Sequence, residues 1–163
     1  MIRAAVLTIS DKGSRGERTD ESGPAIAELL KSIGCEVIGY DIVPDDKEEI
    51  KAKLISLAGR ADLILTTGGT GLSPRDVTPE ATLEVIEREV PGLAELMRAE
   101  GMKLTRRAAL SRAVCGTLGA SLIVNLPGSP RAVKENLRFI LDLLPHGIEK
   151  LKGSTEDCAR PLP

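Results

Sequence analysis

Asp62-Leu63-Ile64-Leu65-Thr66-Thr67-Gly68-Gly69-Thr70-Gly71 carries the strongest structural signal in the chain. Leu63, Ile64 and Leu65 are apolar in succession, without the alternation of a half-exposed strand, so the pattern predicts a strand over Asp62 to Thr66 covered on both faces. Three glycines in four residues then end it. Working outward, Ile2 to Ile9 reads as a second buried strand closed by Ser10-Asp11-Lys12-Gly13, and Glu36 to Val43 as a third, ended by Pro44-Asp45-Asp46. The final strand is expected over Ala120 to Leu126, before Pro127-Gly128-Ser129-Pro130. Helical spacing lies between them: Ile26, Leu29, Leu30 and Ile33 after Pro24; Ile50, Leu54 and Leu57; a helix opened by Thr78-Pro79-Glu80; a segment from Pro91-Gly92 to about Met102. A last helix is expected to turn Val133, Leu137, Ile140, Leu141 and Leu144 inward. Strand and helix alternating in this way predict an α/β fold with a mostly parallel sheet, helices on both faces and right-handed crossovers. In such sheets ligands bind beyond the carboxyl ends of the strands, at the switch point in strand order.

At 163 residues and 17.3 kDa the chain is expected to form a single domain over residues 1–163, with no linker or repeat dividing it. Lys and Arg total 22 against 24 Asp and Glu, and Tyr40 and Phe139 are the only aromatics. Neither a basic excess nor a stacking platform is present, so nucleic acid is not the expected partner. No apolar stretch approaches the ~20 residues of a membrane span, and the apolar run from Ala4 to Ile9 is too short for a secretory leader. A cytoplasmic protein is expected, with Cys35, Cys115 and Cys158 as reduced thiols. Cys158 and the tail to Pro163 read as a loosely held terminus.

The chemistry gathers at strand ends. Thr67-Gly68-Gly69-Thr70-Gly71 allows positive φ and close approach of amides to an anion, which suits a phosphate cradle. It is neither a Walker loop, having no Gly-Lys-Ser/Thr, nor G-x-G-x-x-G. Pro127-Gly128-Ser129 is a second such junction, Ser129 standing where a helix cap would offer free amides above the sheet. Asp45 and Asp76 are carboxylates at the same edge, a plausible Mg²⁺ pair together with substrate phosphates. Spacing equally allows Asp45 to cap a helix beside Asp46, and Asp76 to pair with Arg75. Arg106, Arg107 and Arg112 flank Leu110-Ser111 and suit either an anionic substrate or a charged surface. His146, the only histidine, is expected near the end of the last helix, away from the glycine loops.

Taken together, Thr67-Gly68-Gly69-Thr70-Gly71, Arg75-Asp76-Val77-Thr78-Pro79-Glu80, Leu110-Ser111-Arg112 and Asn125-Leu126-Pro127-Gly128-Ser129-Pro130 resemble the molybdenum cofactor biosynthesis proteins of the MogA/MoaB type, related to the G domains of gephyrin and the plant Cnx protein. The resemblance covers essentially the whole chain. It implies a three-layer α/β/α sandwich with a Rossmann-like sheet, and a molybdopterin adenylyltransferase, in which ATP as co-substrate and Mg²⁺ convert molybdopterin to adenylyl-molybdopterin and pyrophosphate, with no permanently bound cofactor. By the same resemblance, Asp76 and Asp45 are the catalytic and Mg²⁺-binding aspartates. Ser111, the two glycine loops and the Ser10-Asp11 corner bind substrate. The alternative is a molybdopterin-binding paralogue without transferase activity. The resemblance further implies a homotrimer, or a hexamer as in some MoaB-type members. It also implies a separate metal-insertion protein of the MoeA type, for which 163 residues leave no fused counterpart.

Overall fold

The computed structural model describes residues 1–156, so the expectation for Cys158 and the tail lies outside the described residues. The elements follow in the order β1 (Ile2–Ile9), α1 (Asp11–Ser14), α2 (Ser22–Ser32), β2 (Cys35–Val43), α3 (Lys47–Ala58), β3 (Leu63–Thr67) and α4 (Thr78–Val85). Then come β4 (Arg88–Glu89), α5 (Pro91–Leu104), a 3₁₀ turn (Arg106–Leu110), β5 (Cys115–Leu118), β6 (Ser121–Leu126), α6 (Pro130–Ile140) and α7 (Leu143–Leu151). They build one sheet of order β2-β1-β3-β6-β5-β4, in which β2, β1, β3 and β6 run parallel, β5 runs antiparallel to β6, and β4 antiparallel to β5.

The pleat of β1 shows why both faces need helices. Ala4 and Val6 point to one side, where α2, α5, α6 and α7 bury Ile26, Leu30, Met97, Val133, Leu137 and Leu144 against Leu63 and Leu65. Ala5, Leu7 and Ile9 point to the other, where α3 and α4 bury Ile50, Leu54, Leu57 and Ala81 against Ile64. This is the α/β/α sandwich expected from the unbroken apolar runs.

Several elements of the structure differ from the sequence expectation, among them the two-residue strand β4. The antiparallel strand β5 was not expected; it joins β6 through the two-residue turn Gly119-Ala120, with Gly119 at φ +56°. Four residues that include a glycine give no alternation to read, although a glycine-containing turn between two apolar runs is a hairpin signal. The last helix is two: it breaks between Ile140 and Leu143, and the second piece carries Leu144 and Ile148 to the same core. His146 accordingly stands in the middle of α7, exposed.

At the opposite end of the sheet Asp62, its side chain only 5% exposed, accepts from the Arg3 amide at 2.8 Å and pairs with Arg3 and Lys152. Burial works to raise its pKa, but the Arg3 amide, Lys152 and the Arg3 guanidinium outweigh it and hold the carboxyl at about 2. A depressed carboxyl pKa stabilises the fold above the unfolded-chain value near 3.8, and that contribution disappears as pH falls through about 2. Asp62→Asn keeps an acceptor for the Arg3 amide and removes the charge. We expect it to cost about 1–2 kcal/mol at neutral pH, discounted for the exposed partners, and to flatten the stability loss between pH 4 and 2 in urea titrations.

Candidate active site

The strand order reverses between β1 and β3: β2 lies on one side of β1, whereas β3 and β6 lie on the other. A cavity of about 560 Å³ opens at that point, between the carboxyl ends of β1 (Thr8, Ile9, Ser10), β2 (Asp45), β3 (Thr67, Gly68, Gly69) and β6 (Gly128, Ser129, Pro130). Asp76 and the loop residues 18–21 complete its walls.

The glycine loop takes this course for steric reasons. Gly68 has φ +100°, and a Cβ there would drive into the Ile9 carbonyl oxygen. Gly128 sits so close that its own Cβ would lie 3.3 Å from Gly68 Cα. The Gly68 amide donates to the Leu126 carbonyl at 3.2 Å, and the Thr67 hydroxyl donates to the Pro127 carbonyl at 2.7 Å. The β3 and β6 loops are thus one unit. Among the described residues no protein acceptor takes the amides of Gly69, Thr70, Gly71, Gly128 or Ser129. Ser10 and Ser129 spend their hydroxyls as acceptors for the Gly13 and Ala132 amides, capping α1 and α6. Gly69, Gly128 and Ser129 thus bring open amides to the wall of this cavity, at a strand end and at the start of α6, the arrangement that holds phosphate.

A buried polar chain supports the loop from below. Asn125, fully buried, donates to the hydroxyls of Thr66 and Thr82, each at 3.0 Å, and accepts from the Val114 amide at 3.1 Å. Thr82 donates to the Thr78 carbonyl, and the Thr78 hydroxyl to the Gly68 carbonyl at 2.9 Å. Satisfied networks of this kind fix geometry.

Tertiary contacts decide between the roles that spacing left open. Asp46 caps α3 by accepting from the Glu49 amide, so Asp45 is not a helix cap. Arg75 makes a bidentate pair with Asp11 at 2.9 and 3.0 Å, and Asp76 instead accepts from the Ser73 amide at 3.1 Å. Asp45 and Asp76 therefore both face the cavity. Burial raises the Asp45 pKa, and the charges of Asp11 and Asp76 add to that against the lowering by the Asp11 amide. A cation beside Asp45 would offset that penalty on its charged form.

Thr70, Gly71, Ser111, Pro127 and Ser129 line a second cavity of about 540 Å³, across the glycine loop, whose walls also carry Arg98, Arg107 and Arg131 with Met97 and Leu104. Ser129 borders both cavities. Asp11 lines neither. Nor is Arg112 open to an anion: it donates to the carbonyls of Gly71 at 2.7 Å and Asp76 at 2.8 Å, pairs with Glu80, and so ties the glycine loop to the Asp76 segment. Arg106 borders neither cavity, leaving Arg107 as the one of the three arginines on a wall.

Sequence reasoning passed over the loop before α2. Asp20 accepts from the Thr8 hydroxyl at 2.6 Å, the Tyr40 hydroxyl and the Ser22 and Gly23 amides, and Ser22 in turn donates to the Gly128 carbonyl at 2.7 Å. Burial opposes its ionisation, yet those donors hold its pKa below the usual value. Asp20 thereby fills the anion site at the start of α2 with the chain's own charge. An Asp two residues before Ser-Gly-Pro was the one available signal.

Open amides at a switch point, with two carboxylates facing them, define an α/β protein suited to a phosphorylated ligand and a cation. Residues 5–146 match the family described as the probable molybdopterin binding domain, and the chain belongs to that family. It is 39% identical over 157 residues to a molybdopterin adenylyltransferase of Helicobacter pylori, covering 94% of this chain and 89% of that protein. It is 48% identical over 151 residues to the molybdenum cofactor synthesis protein cinnamon of Drosophila melanogaster, covering 90% of this chain but spanning only 25% of the fly protein. Among solved structures, the molybdopterin biosynthesis enzyme MoaB of Thermus thermophilus superposes with a TM-score of 0.89 at 53% identity, covering 94% of this chain and 98% of that one.

Proposed function

We infer that this chain acts in molybdenum cofactor biosynthesis as a molybdopterin adenylyltransferase. The observation that carries this reading is the pair Asp45 and Asp76 facing one cavity rimmed by open amides, in a chain that covers nearly the whole of an adenylyltransferase relative. In the reaction, an oxygen of the pterin's terminal phosphate attacks the α-phosphorus of ATP. A P–O bond forms there, the bond to the β-phosphate's bridging oxygen breaks, and pyrophosphate leaves.

Among the described residues the cavity walls carry no histidine, lysine or cysteine, and this chemistry needs none. A phosphate monoester, with a second pKa of about 6, is already largely ionised at neutral pH. The protein's task is to hold two polyanions in line and offset their repulsion. Open amides of Gly69, Gly128 and Ser129 serve the phosphates, and the rigid β3–β6 loop unit keeps them in place. Asp45 and Asp76 are the residues that would hold Mg²⁺: both line this cavity, and the raised pKa of Asp45 fits a cation there. When bound, Mg²⁺ supplies charge neutralisation on the phosphates. The second cavity, with Arg107 and Arg131 among apolar walls, is the place for the other substrate's anionic and ring parts.

The assay follows pyrophosphate and adenylyl-pterin together, from purified protein, MgATP and fresh molybdopterin. Both products are expected in equal amounts, and EDTA is expected to abolish them. Pterin binding with no pyrophosphate would overturn the reading in favour of a silent paralogue. We propose also that the chain is a cytoplasmic homotrimer that passes its product to a MoeA-type metal-insertion protein. Support for the location is that no helix among the described residues is long and apolar enough to cross a membrane. Exposed Leu72, Met102, Leu104 and Leu110 offer apolar surface for subunit contact, and sedimentation equilibrium reads the mass directly.

A further inference from the structure

We propose that Asp11 is a positioning residue whose side chain joins the segment carrying Asp45 to the segment carrying Asp76 and so sets where the two carboxylates stand across the cavity. This rests on the adenylyltransferase reading only in assigning a use to the pair. The geometry is a closed set of contacts. The Asp11 amide donates to Asp45 Oδ2 at 3.0 Å, and the Asp45 amide donates back to Asp11 Oδ1 at 3.0 Å. The corner of β1 and the end of β2 are thereby locked, continuing the pairing that ends with the Ser10 amide on the Val43 carbonyl at 2.9 Å. With Oδ2 held, Asp45 Oδ1 is the oxygen left facing the glycine loop, 3.2 Å from where a Gly69 Cβ would stand.

The other side of Asp11 reaches the second carboxylate. Arg75 Nε donates to Asp11 Oδ2 at 3.0 Å and Arg75 Nη2 to Asp11 Oδ1 at 2.9 Å, and Arg75 immediately precedes Asp76. A planar two-point pair of this kind fixes direction as well as distance. On its far side the Asp76 segment is held by Arg112 through the Asp76 carbonyl, so Asp76 is braced from both ends. Asp11 itself lines neither cavity. A side chain that bridges both carboxylate segments and lines neither cavity acts through its neighbours.

Groups that orient metal ligands from behind typically change metal affinity by about 10–100-fold when removed. The test titrates Mn²⁺ in the presence of ATP, read by electron paramagnetic resonance, for the unaltered chain, Asp11→Ala, Arg75→Ala and the double variant. Asp11→Asn, which keeps the acceptor for the Asp45 amide and loses the charge, covers the case in which Asp11→Ala does not fold. Asp11→Ala and Arg75→Ala are each expected to raise the Mn²⁺ midpoint about tenfold, Asp11→Asn less, and the double variant no more than the worse single one, because the two residues act as one unit. An unchanged midpoint with a raised KM for ATP or pterin would overturn the proposal and make Asp11 a substrate ligand. So would a lowered melting temperature with no shift in midpoint, or additive effects in the double variant. Failure of the unaltered chain to bind Mn²⁺ would overturn it as well. Normal Mn²⁺ midpoints without adenylyl transfer would instead count against the enzyme reading, leaving the positioning role intact.

Discussion

Asp76→Asn is expected to lower adenylyl transfer by about 100-fold or more with pterin binding and melting temperature nearly unchanged. The reason lies in how the carboxylate is held. Asp76 Oδ2 accepts from the Ser73 amide, which requires an oxygen at that position, and among the described residues Oδ1 has no donor. An asparagine at 76 satisfies Ser73 with its carbonyl oxygen, so its NH₂ group takes the place of Oδ1. A neutral donor then stands where the phosphates and their cation need negative charge. Removing one preorganised electrostatic contact typically costs 10²–10³ in kcat, about 3–4 kcal/mol of barrier. The fold barely notices, since the isostere keeps the Ser73 bond and the Asp76 carbonyl still receives Arg112. Single-turnover formation of adenylyl-pterin, beside equilibrium dialysis of the pterin, checks both halves. Full turnover in this variant would remove Asp76 from the reaction.

The second large effect is on stability. Gly68→Ala is expected to destabilise the protein by about 3 kcal/mol or more, from two terms that a comparison variant separates. A positive φ costs an alanine about 1–2 kcal/mol, and forcing a methyl against fixed backbone adds about 1–3 kcal/mol. At Gly68 both apply: φ is +100°, and the methyl would meet the Ile9 carbonyl, which belongs to β1 and cannot move alone. At Gly34, φ is +75° but the space around a Cβ is open, so Gly34→Ala carries only the first term. For a chain of this length each kcal/mol is worth about 2–4 °C in melting temperature. Gly68→Ala is therefore expected to melt roughly 6–12 °C lower, and Gly34→Ala only a few degrees lower. Equal shifts in the two variants would show that the close approach of the β1 and β3 ends carries no energy.

Much of the architecture was legible without coordinates. Leu63-Ile64-Leu65 and Ala4 to Ile9 lack alternation because both faces are buried, and that property is written in the residues themselves. Proline and glycine punctuation marked the helix starts at Pro24, Pro79 and Pro130, since each loses or fixes a backbone freedom locally. β4, two exposed residues, and β5, four residues with a glycine, pass unread because pairing rather than side-chain pattern makes them strands.

For the site the division is similar. Chain order, with its α/β pattern, puts glycine loops and carboxylates at strand ends. It did not determine which of Asp45 and Asp46 caps α3, whether Arg75 serves Asp76 or Asp11, or that Arg112 is spent on the carbonyls of Gly71 and Asp76. Nor did it reveal that Asp20, on a polar loop with no periodic signal, closes the far wall of the cavity. Each of these depends on the direction of a side chain relative to a partner on another element or to a competing neighbour. A hydrogen bond or ion pair is decided by ångström-scale placement, and only the packed sheet, with β1, β2 and β3 in register, sets distances that fine.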